Sequence, residues 1–464
     1  MRGREGDNGH NQTRMLRVTS LVATAVLALG LSGACAARAP LDPQGPAGQI
    51  HQRTGTAARM AVPATPEIPV GIRLDDGLTP DEAVAVALWN NAAFQVSVSE
   101  LGFARADLLE AGVLTNPVLS LLFPVGPKQL EATLRWPVEL LWERPKRVAA
   151  ARLAAEAAAH RLVQTGLDLV FAVRIAYTDL GLALDRQQLA VEIAALLSRI
   201  DTLTRSRLTA GDISALDARA ARVELDRGQL DAERASYDVS IARDRLRLLL
   251  GLTADASSFE LTTSASPAAR CPPLADLLRE ALVARPDVRA AELGVEAAAA
   301  RLGWENSRIL TLTAALDANG EGREGFEAGP GVDVSLPIFD RNQGRRARAH
   351  AELDRASAAY RAIQQQVALE LREAAAQLDQ ARSSLAGWRD RNVVPLQATV
   401  TDAERAFAEG ETSYLFVLEH RRRLADGQVR QRELAADEQR ARARIERAVG
   451  RSCSAPPREA SRDR

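Results

Sequence analysis

Acid–base, nucleophilic or metal chemistry at neutral pH needs histidine, cysteine or paired carboxylates at fixed spacings. The five histidines here, His10, His51, His160, His350 and His420, stand singly and form no His-Glu-x-x-His pattern. His420 follows Glu419, but one such neighbour makes no ligand set, and Arg421-Arg422-Arg423 beside it reads as a solvated charge run. The glycine-rich stretch Gly320 to Gly331 lacks the Gly-Lys-Ser/Thr of a phosphate loop and falls between two strands, so it reads as a hairpin loop. No catalytic, cofactor or metal site is expected, and the chain does not read as an enzyme. Lys+Arg 59 against Asp+Glu 60 gives no basic excess for nucleic acid.

The elements around these residues say more. From Val332, Val334, Leu336 and Ile338 alternate with Asp333, Ser335 and Pro337. That is a strand with two unlike faces. Leu130, Ala132, Leu134, Trp136 and Val138 do the same among Gln129, Glu131, Thr133, Arg135 and Pro137. Pro137 and Pro337 read as matching strand-end prolines. Val118–Val125 and Leu312–Ala318 read as two more strands. Each pair leads into a long run rich in Ala, Glu and Arg. Between Lys146 and Leu208 there is no proline, and Val170, Val173, Tyr177, Leu180, Leu184 and Val191 keep a/d heptad spacing, broken at Gln187. About 60 residues at ~1.5 Å each make a rod of roughly 90–95 Å. Aromatic content of 4% suits long helices better than a compact enzyme.

The order repeats. Leu88-Trp89-Asn90-Asn91-Ala92 matches Leu282-Val283-Ala284-Arg285-Pro286 at an offset of 194. Ala210-Gly211-Asp212-Ile213-Ser214 matches Glu409-Gly410-Glu411-Thr412-Ser413, and Leu250-Gly251 matches Val449-Gly450, both at 199. The chain is therefore a tandem duplication of helix, two strands, long helix, break and helix. The first repeat spans 79–251, starting at a Thr79-Pro80-Asp81-Glu82 capping box and running as one helix to about Gly112. A Ser/Thr/Pro linker covers 252–273, the second repeat 274–450, and a disordered tail 451–464. Residues 36–78, rich in Pro, Gly, Thr and Ala, read as a flexible N-terminal arm.

Residues 1–35 read as a secretory signal. Arg14 and Arg17 precede an apolar run, Leu21 to Leu31, that ends in Ser32-Gly33-Ala34-Cys35. Small residues before a cysteine resemble a bacterial lipoprotein signal, with Cys35 acylated. Ser32 departs from that pattern, and cleavage after a nearby alanine is the other reading. After export, the oxidising periplasm lets disulfides persist. Cys271 lies in the inter-repeat linker and Cys453 just past the last helix, which tandem repeats packed side by side would bring to one height. A Cys271–Cys453 bridge and two unpaired thiols both remain open.

Four alternating strands of roughly nine residues match the 9–11 of a tilted membrane-spanning strand. Four strands cannot close a barrel, and open edges are not tolerated in lipid. The barrel must be shared between copies of the chain. A periplasmic coiled-coil scaffold lipoprotein without channel activity is the alternative. Pro337-Ile338-Phe339-Asp340-Arg341-Asn342-Gln343-Gly344, the two glycine breaks and Arg245-Leu246-Arg247-Leu248-Leu249-Leu250-Gly251 resemble the TolC-type outer-membrane efflux factors over residues 79–450. Asp340 to Gly344 look most like the branch serving heavy-metal exporters. The resemblance implies a mainly α fold with a small β part: a tandem-repeat, long-helix coiled-coil tunnel, with four strands contributing to a trimeric transmembrane β-barrel. It implies an outer-membrane exit duct extending into the periplasm, a homotrimer in outer-membrane lipid. Its partners would be a periplasmic adaptor and a proton-driven inner-membrane pump. It puts adaptor docking at the two turns, Gly211, Asp212, Ser214, Gly410, Glu411 and Ser413. It puts Glu419 and Asp217 at the pore constriction. Phe416 stands where the family has a companion acid, and Phe407 and Thr412 where it has the tyrosine and arginine partners of Asp217.

Overall fold

The structure is a computed structural model, and it describes residues 44–61, 65–125, 130–252, 259–262, 272–320 and 326–452. Elements run α1 (Gln44–Thr54), α2 (Pro80–Asn90), α3 (Ala92–Gly112), β1 (Val118–Leu122), β2 (Leu130–Pro137), α4 (Leu140–Thr209) and α5 (Ala215–Leu250). After the linker they recur as α6 (Leu274–Ala284), α7 (Pro286–Ser307), β3 (Leu312–Gly320) and β4 (Phe326–Val334). Then come α8 (Gln343–Trp388), a π-helical turn (Arg389–Val393), α9 (Val394–Ala408) and α10 (Tyr414–Val449). The fold is mainly helical with one small sheet. No helix among the described residues is long and apolar enough to cross a membrane.

Contacts divide the chain into two bodies. One holds residues 104–153 and 297–351, with all four strands; the other holds 42–103, 154–296 and the chain from 352 on. In the first, the strands pair antiparallel in the order β1-β2-β3-β4. β4 corrects the sequence reading. It takes in Gly329-Pro330-Gly331 and ends at Val334, so the hairpin loop is shorter than Gly320–Gly331, and Leu336, Ile338 and Pro337 lie beyond the strand. An edge strand tolerates Pro330 because one side of it has no ladder partner. The Asp340–Gln343 motif is turn chemistry. The Asp340 carboxylate accepts the Asn342 N–H at 2.8 Å, and the Gln343 side chain accepts from Arg341 N–H at 2.7 Å. Asn342 is left-handed at φ 62° and buried, its amide donating to the Glu305 carbonyl at 2.7 Å and carboxylate at 3.0 Å.

In the second body the duplication shows in the packing. The first helix does not run unbroken to Gly112. It breaks at Asn91, whose side-chain amide oxygen accepts the Phe94 N–H at 3.0 Å, and the second repeat breaks at the matching Arg285. Asn91 donates to the Leu249 carbonyl at 2.9 Å; Arg285 donates at 3.0 Å to the carbonyl of Ala448, the residue 199 positions after Leu249. Two different side chains therefore make one repeat-equivalent bond. Along the long helices, buried Leu169, Val173, Ala176, Leu180 and Ala183 correspond to buried Val367, Leu371, Ala374, Leu378 and Ala381 at an offset of 198. Past the π turn the offset is 199. A Cβ on Gly228 would meet Leu197 Cδ1 at 2.5 Å, and one on Gly427 would meet the equivalent Leu396 Cδ1 at 3.1 Å. The π turn therefore absorbs one inserted residue. Trp388, just before it, donates to the Gly427 carbonyl at 2.9 Å.

Two stretches read as loose are packed where they are described. In the arm, α1 buries Ile50, and Arg53 donates to the carbonyls of Gly450 at 3.0 Å and Ala284 at 2.6 Å, tying two helix ends together. In the linker, Phe259 is buried, and Leu78 and Leu261 form a parallel bridge. The Tyr177 hydroxyl lies 2.7 Å from the Leu78 carbonyl and 2.8 Å from that of Thr262, and burial pushes its pKa up to about 12. The heptad reading of α4 holds at Val170, Val173 and Leu180, but Val191 faces out. The apolar seam resumes at Leu196, Leu197 and Ile200.

Candidate functional site

Two features are candidates for a functional site: the turns that end the long helices, and the sheet. Both turns are built alike. Gly211 and Gly410 are left-handed at φ +82° and +77°. Around Gly211, N–H groups reach back to Leu208 at 3.0 Å and, from Asp212, to Arg207 at 2.9 Å; around Gly410 the same two bonds go to Phe407 at 3.0 Å and, from Glu411, to Ala406 at 2.8 Å. This is a Schellman stop, which satisfies the last carbonyls of a helix and needs a residue at positive φ. Ser214 and Ser413 then start the returning helices as N-caps. Gly211, Asp212, Ser214, Gly410, Glu411 and Ser413 are all exposed.

The turns differ at the third helical position. Asp217 closes a capping box with Ser214: its carboxylate accepts the Ser214 hydroxyl at 2.8 Å and N–H at 3.2 Å, and the Ser214 hydroxyl accepts the Asp217 N–H at 3.2 Å. A local helix-capping role for Asp217 was missed from sequence, although Ser-x-x-Asp signals it. The matching residue, Phe416, has no acceptor to give. It packs against His420 with the rings tilted and their centroids 4.1 Å apart, while Phe407 and Tyr414 meet across the turn at 5.2 Å. Leu418 is fully buried against Leu196, Leu197, Ile200 and Leu225, which fixes the rotation of α10. Its neighbour Glu419 is turned outward, exposed and without an ion-pair partner among the described residues. Sequence reading also missed Asp201. Its carboxylate is fully buried and contacts Arg205, with Arg222 at 4.0 Å. The i, i+4 spacing of Asp201 and Arg205 is the only local signal of that pair. Cys35, Cys271 and Cys453 lie outside the described residues.

The sheet has two chemically opposite faces. Register puts Leu119, Leu134, Leu316 and Pro330 in one row, and Trp136, Ala314 and Val332 in another on the same side. On the other side stand Glu131, Thr133, Arg135, Thr313, Asp317, Asn319, Glu327 and Asp333, with Arg135 and Asp333 3.7 Å apart. Leu119 is 60% exposed and Val332 63% exposed. β1 and β4 are both edges. A bare apolar face and two unpaired edges are a liability in water. A closed barrel in lipid, polar towards its lumen, removes both.

A family model described as "Outer membrane efflux protein" matches residues 126–252 and 277–451, one block in each repeat. The chain belongs to the outer membrane efflux protein family. It is a protein of the outer membrane that extends into the periplasm, in a family of efflux channels rather than enzymes. The cobalt-zinc-cadmium resistance protein CzcC of Cupriavidus metallidurans is 28% identical over 380 residues, 81% of this chain and 90% of that protein. Among solved structures, the outer-membrane channel OprN superposes with a TM-score of 0.67 at 21% identity, covering 85% of this chain and 98% of OprN. CusC gives 0.66 at 19% identity over 84% and 98%. These share the helical tunnel and barrel fold expected from the sequence.

Proposed function

We propose that this family member is the exit duct of a tripartite export system, and that it conducts substrate passively. The observation that carries this reading is the sheet: four strands with two open edges and a bare apolar face. Three copies sharing their strands would close one barrel. An inner-membrane pump, taken to be proton-driven, supplies the energy, and a periplasmic adaptor docks on the turns at Gly211-Asp212-Ser214 and Gly410-Glu411-Ser413. Acylation of Cys35 would anchor the N-terminus in the membrane. Similarity to CzcC supports divalent metal cations as cargo. Deleting the gene should sensitise the host to cobalt, zinc or cadmium, and the intact gene should restore growth. Unchanged tolerance to all three metals would remove the assignment of cargo.

Glu419 and Asp217 are placed at the constriction in this reading, with Glu419 as the charge that selects. Like charges ringing a narrow pore favour the opposite ion. Glu419 suits that role because Leu418 holds the helix with Glu419 turned off the core. Asp217 is committed in part to capping α5. In a salt gradient across a planar bilayer, Glu419→Gln should move the reversal potential towards zero and weaken block by multivalent cations. A reversal potential identical to that of the parent would contradict the role of Glu419.

A further inference from the structure

Where the sheet gives way to helix, both repeats sort their charges by face. In the first, β2 ends at Pro137 and α4 begins at Leu140. The acids of that junction turn inward. Glu139 is buried and accepts the Leu312 N–H at 3.1 Å. Glu143 is buried with Arg308 at 3.4 Å. In the second repeat Glu305 is buried and accepts from the Asn342 amide. The charge left outside is mostly positive: Lys146, Arg341, Arg345 and Arg346 are all exposed. Asp340 is exposed too, but Arg345 lies 3.8 Å from it. Among the described residues no carboxylate pairs with Lys146, Arg341 or Arg346.

Helix stability does not explain these cations. A helix start carries a partial positive charge and favours acids, yet α8 has none in its first turn. Capping explains part of the set. Arg144 donates to the Gly112 carbonyl at 2.7 Å, and Arg147 to those of Ala111 at 2.8 Å and Val113 at 2.7 Å, closing the end of α3. Lys146 and Arg341 make no such bond. Trp136, in the apolar row with Ala314 and Val332, donates to the Thr115 carbonyl at 3.0 Å. The basic start of α4 and the apolar face of the sheet therefore meet the same short stretch, 111–115. Exposed apolar side chains lie between strand and cations in both repeats: Leu141 and Trp142 in one, Ile338 and Phe339 in the other, with Phe339 90% exposed. At ~1.5 Å per residue, Arg144 to Arg147 lie about 10–15 Å along the helix from the end of β2. A headgroup layer adds ~5–8 Å beyond the hydrocarbon, and a long basic side chain reaches back to it. Apolar face, exposed aromatics, then cations is the order met from lipid tails to phosphates.

We propose that Lys146 and Arg341, with Arg346, form a collar that binds anionic phospholipid headgroups of the periplasmic leaflet. The collar rests on the reading above that the sheet closes into a barrel in lipid. Phosphate is the chemistry recognised, and lipid is its source, because the cations adjoin exposed apolar side chains that a free phosphate would leave bare. Exposed cations act on a charged surface over a Debye length, so added salt weakens the preference.

The test is lipid retention. The whole chain, purified in a non-ionic detergent, is mixed with micelles holding equal phosphatidylglycerol and phosphatidylcholine. Lipid kept by the captured protein is counted, and the size of the protein is measured alongside. Phosphatidylglycerol should be kept in excess. That excess should fall about fivefold for each cation removed in Lys146→Gln and Arg341→Gln. Both positions are exposed and outside the caps, so the substitutions leave the core untouched. Arg361→Gln removes an exposed cation from the other body and should change nothing. Equal retention of the two lipids by an oligomer would overturn the collar while leaving the shared barrel standing. An excess that survives in the double variant, or that Arg361→Gln lowers as far, would overturn it too. Displacement of the lipid by inorganic phosphate would overturn lipid as the ligand. A monomer with no preference would overturn both readings.

Discussion

Arg285→Ala is expected to destabilise the helical body by about 3–5 kcal/mol, the usual cost of removing one partner from a buried charged network. Arg285 is 2% exposed at the break between α6 and α7. Burial opposes its charge, but Asp287 at 2.5 Å and Glu370 at 2.9 Å outweigh that and hold its pKa above the ordinary arginine value. Truncation strands both carboxylates and the Ala448 carbonyl, which it binds at 3.0 Å. The first repeat suggests the control. Asn91 makes the matching bond to Leu249 with a short amide, so Arg285→Asn should recover part of the loss and no more, because it cannot reach Glu370. Thermal unfolding in detergent, followed by tryptophan fluorescence, reads the order parent, Asn, Ala. An alanine variant as stable as the parent would remove Arg285 as a keystone of the fold.

Gly251→Ala should be the other severe substitution, costing about 3 kcal/mol or more, and Gly450→Ala should be clearly milder. The two glycines are repeat equivalents, and both end a helix in the left-handed region, at φ +68° and +83°. The conformational penalty for a side chain is therefore similar at both. What differs is the space. A Cβ on Gly251 would overlap the backbone carbonyl of Asn90, which cannot move without breaking the α2–α3 junction. A Cβ on Gly450 would meet Arg285 Cγ at 3.2 Å and Arg53 Nη1 at 3.5 Å, both parts of long side chains. Equal losses in the two variants would mean that backbone conformation alone sets the cost.

Much of this architecture is legible in sequence because it depends on local chemistry repeated twice. The Thr79–Glu82 capping box forms as read, with Thr79 N–H donating to Glu82 at 2.8 Å. The Gly211 and Gly410 turns are marked because a Schellman stop requires positive φ. Alternation locates β2 and β3 but misplaces β4, since Gly329-Pro330-Gly331 carries no apolar rhythm and pairs only because β3 supplies the template. The break at Asn91 is hidden because the apolar pattern continues through it, and only the carbonyl of Leu249 gives the amide its partner. The helix at Gln44–Thr54 has little pattern of its own and is held by Arg53 reaching helix ends far along the chain. Asp201 is invisible for the same reason: its fully buried carboxylate lies 4.0 Å from Arg222, a residue of another helix. The π turn shows only when two repeats are compared at both of its ends.

The most direct test of the account is electrical. Purified protein, kept in detergent and added to a planar lipid bilayer, should insert as an oligomer and give discrete conductance steps, because four strands with open edges must close with other copies before they can sit in lipid. A protein that remains a monomer in detergent and gives no conductance under any voltage or salt would contradict the shared barrel, and with it the exit duct.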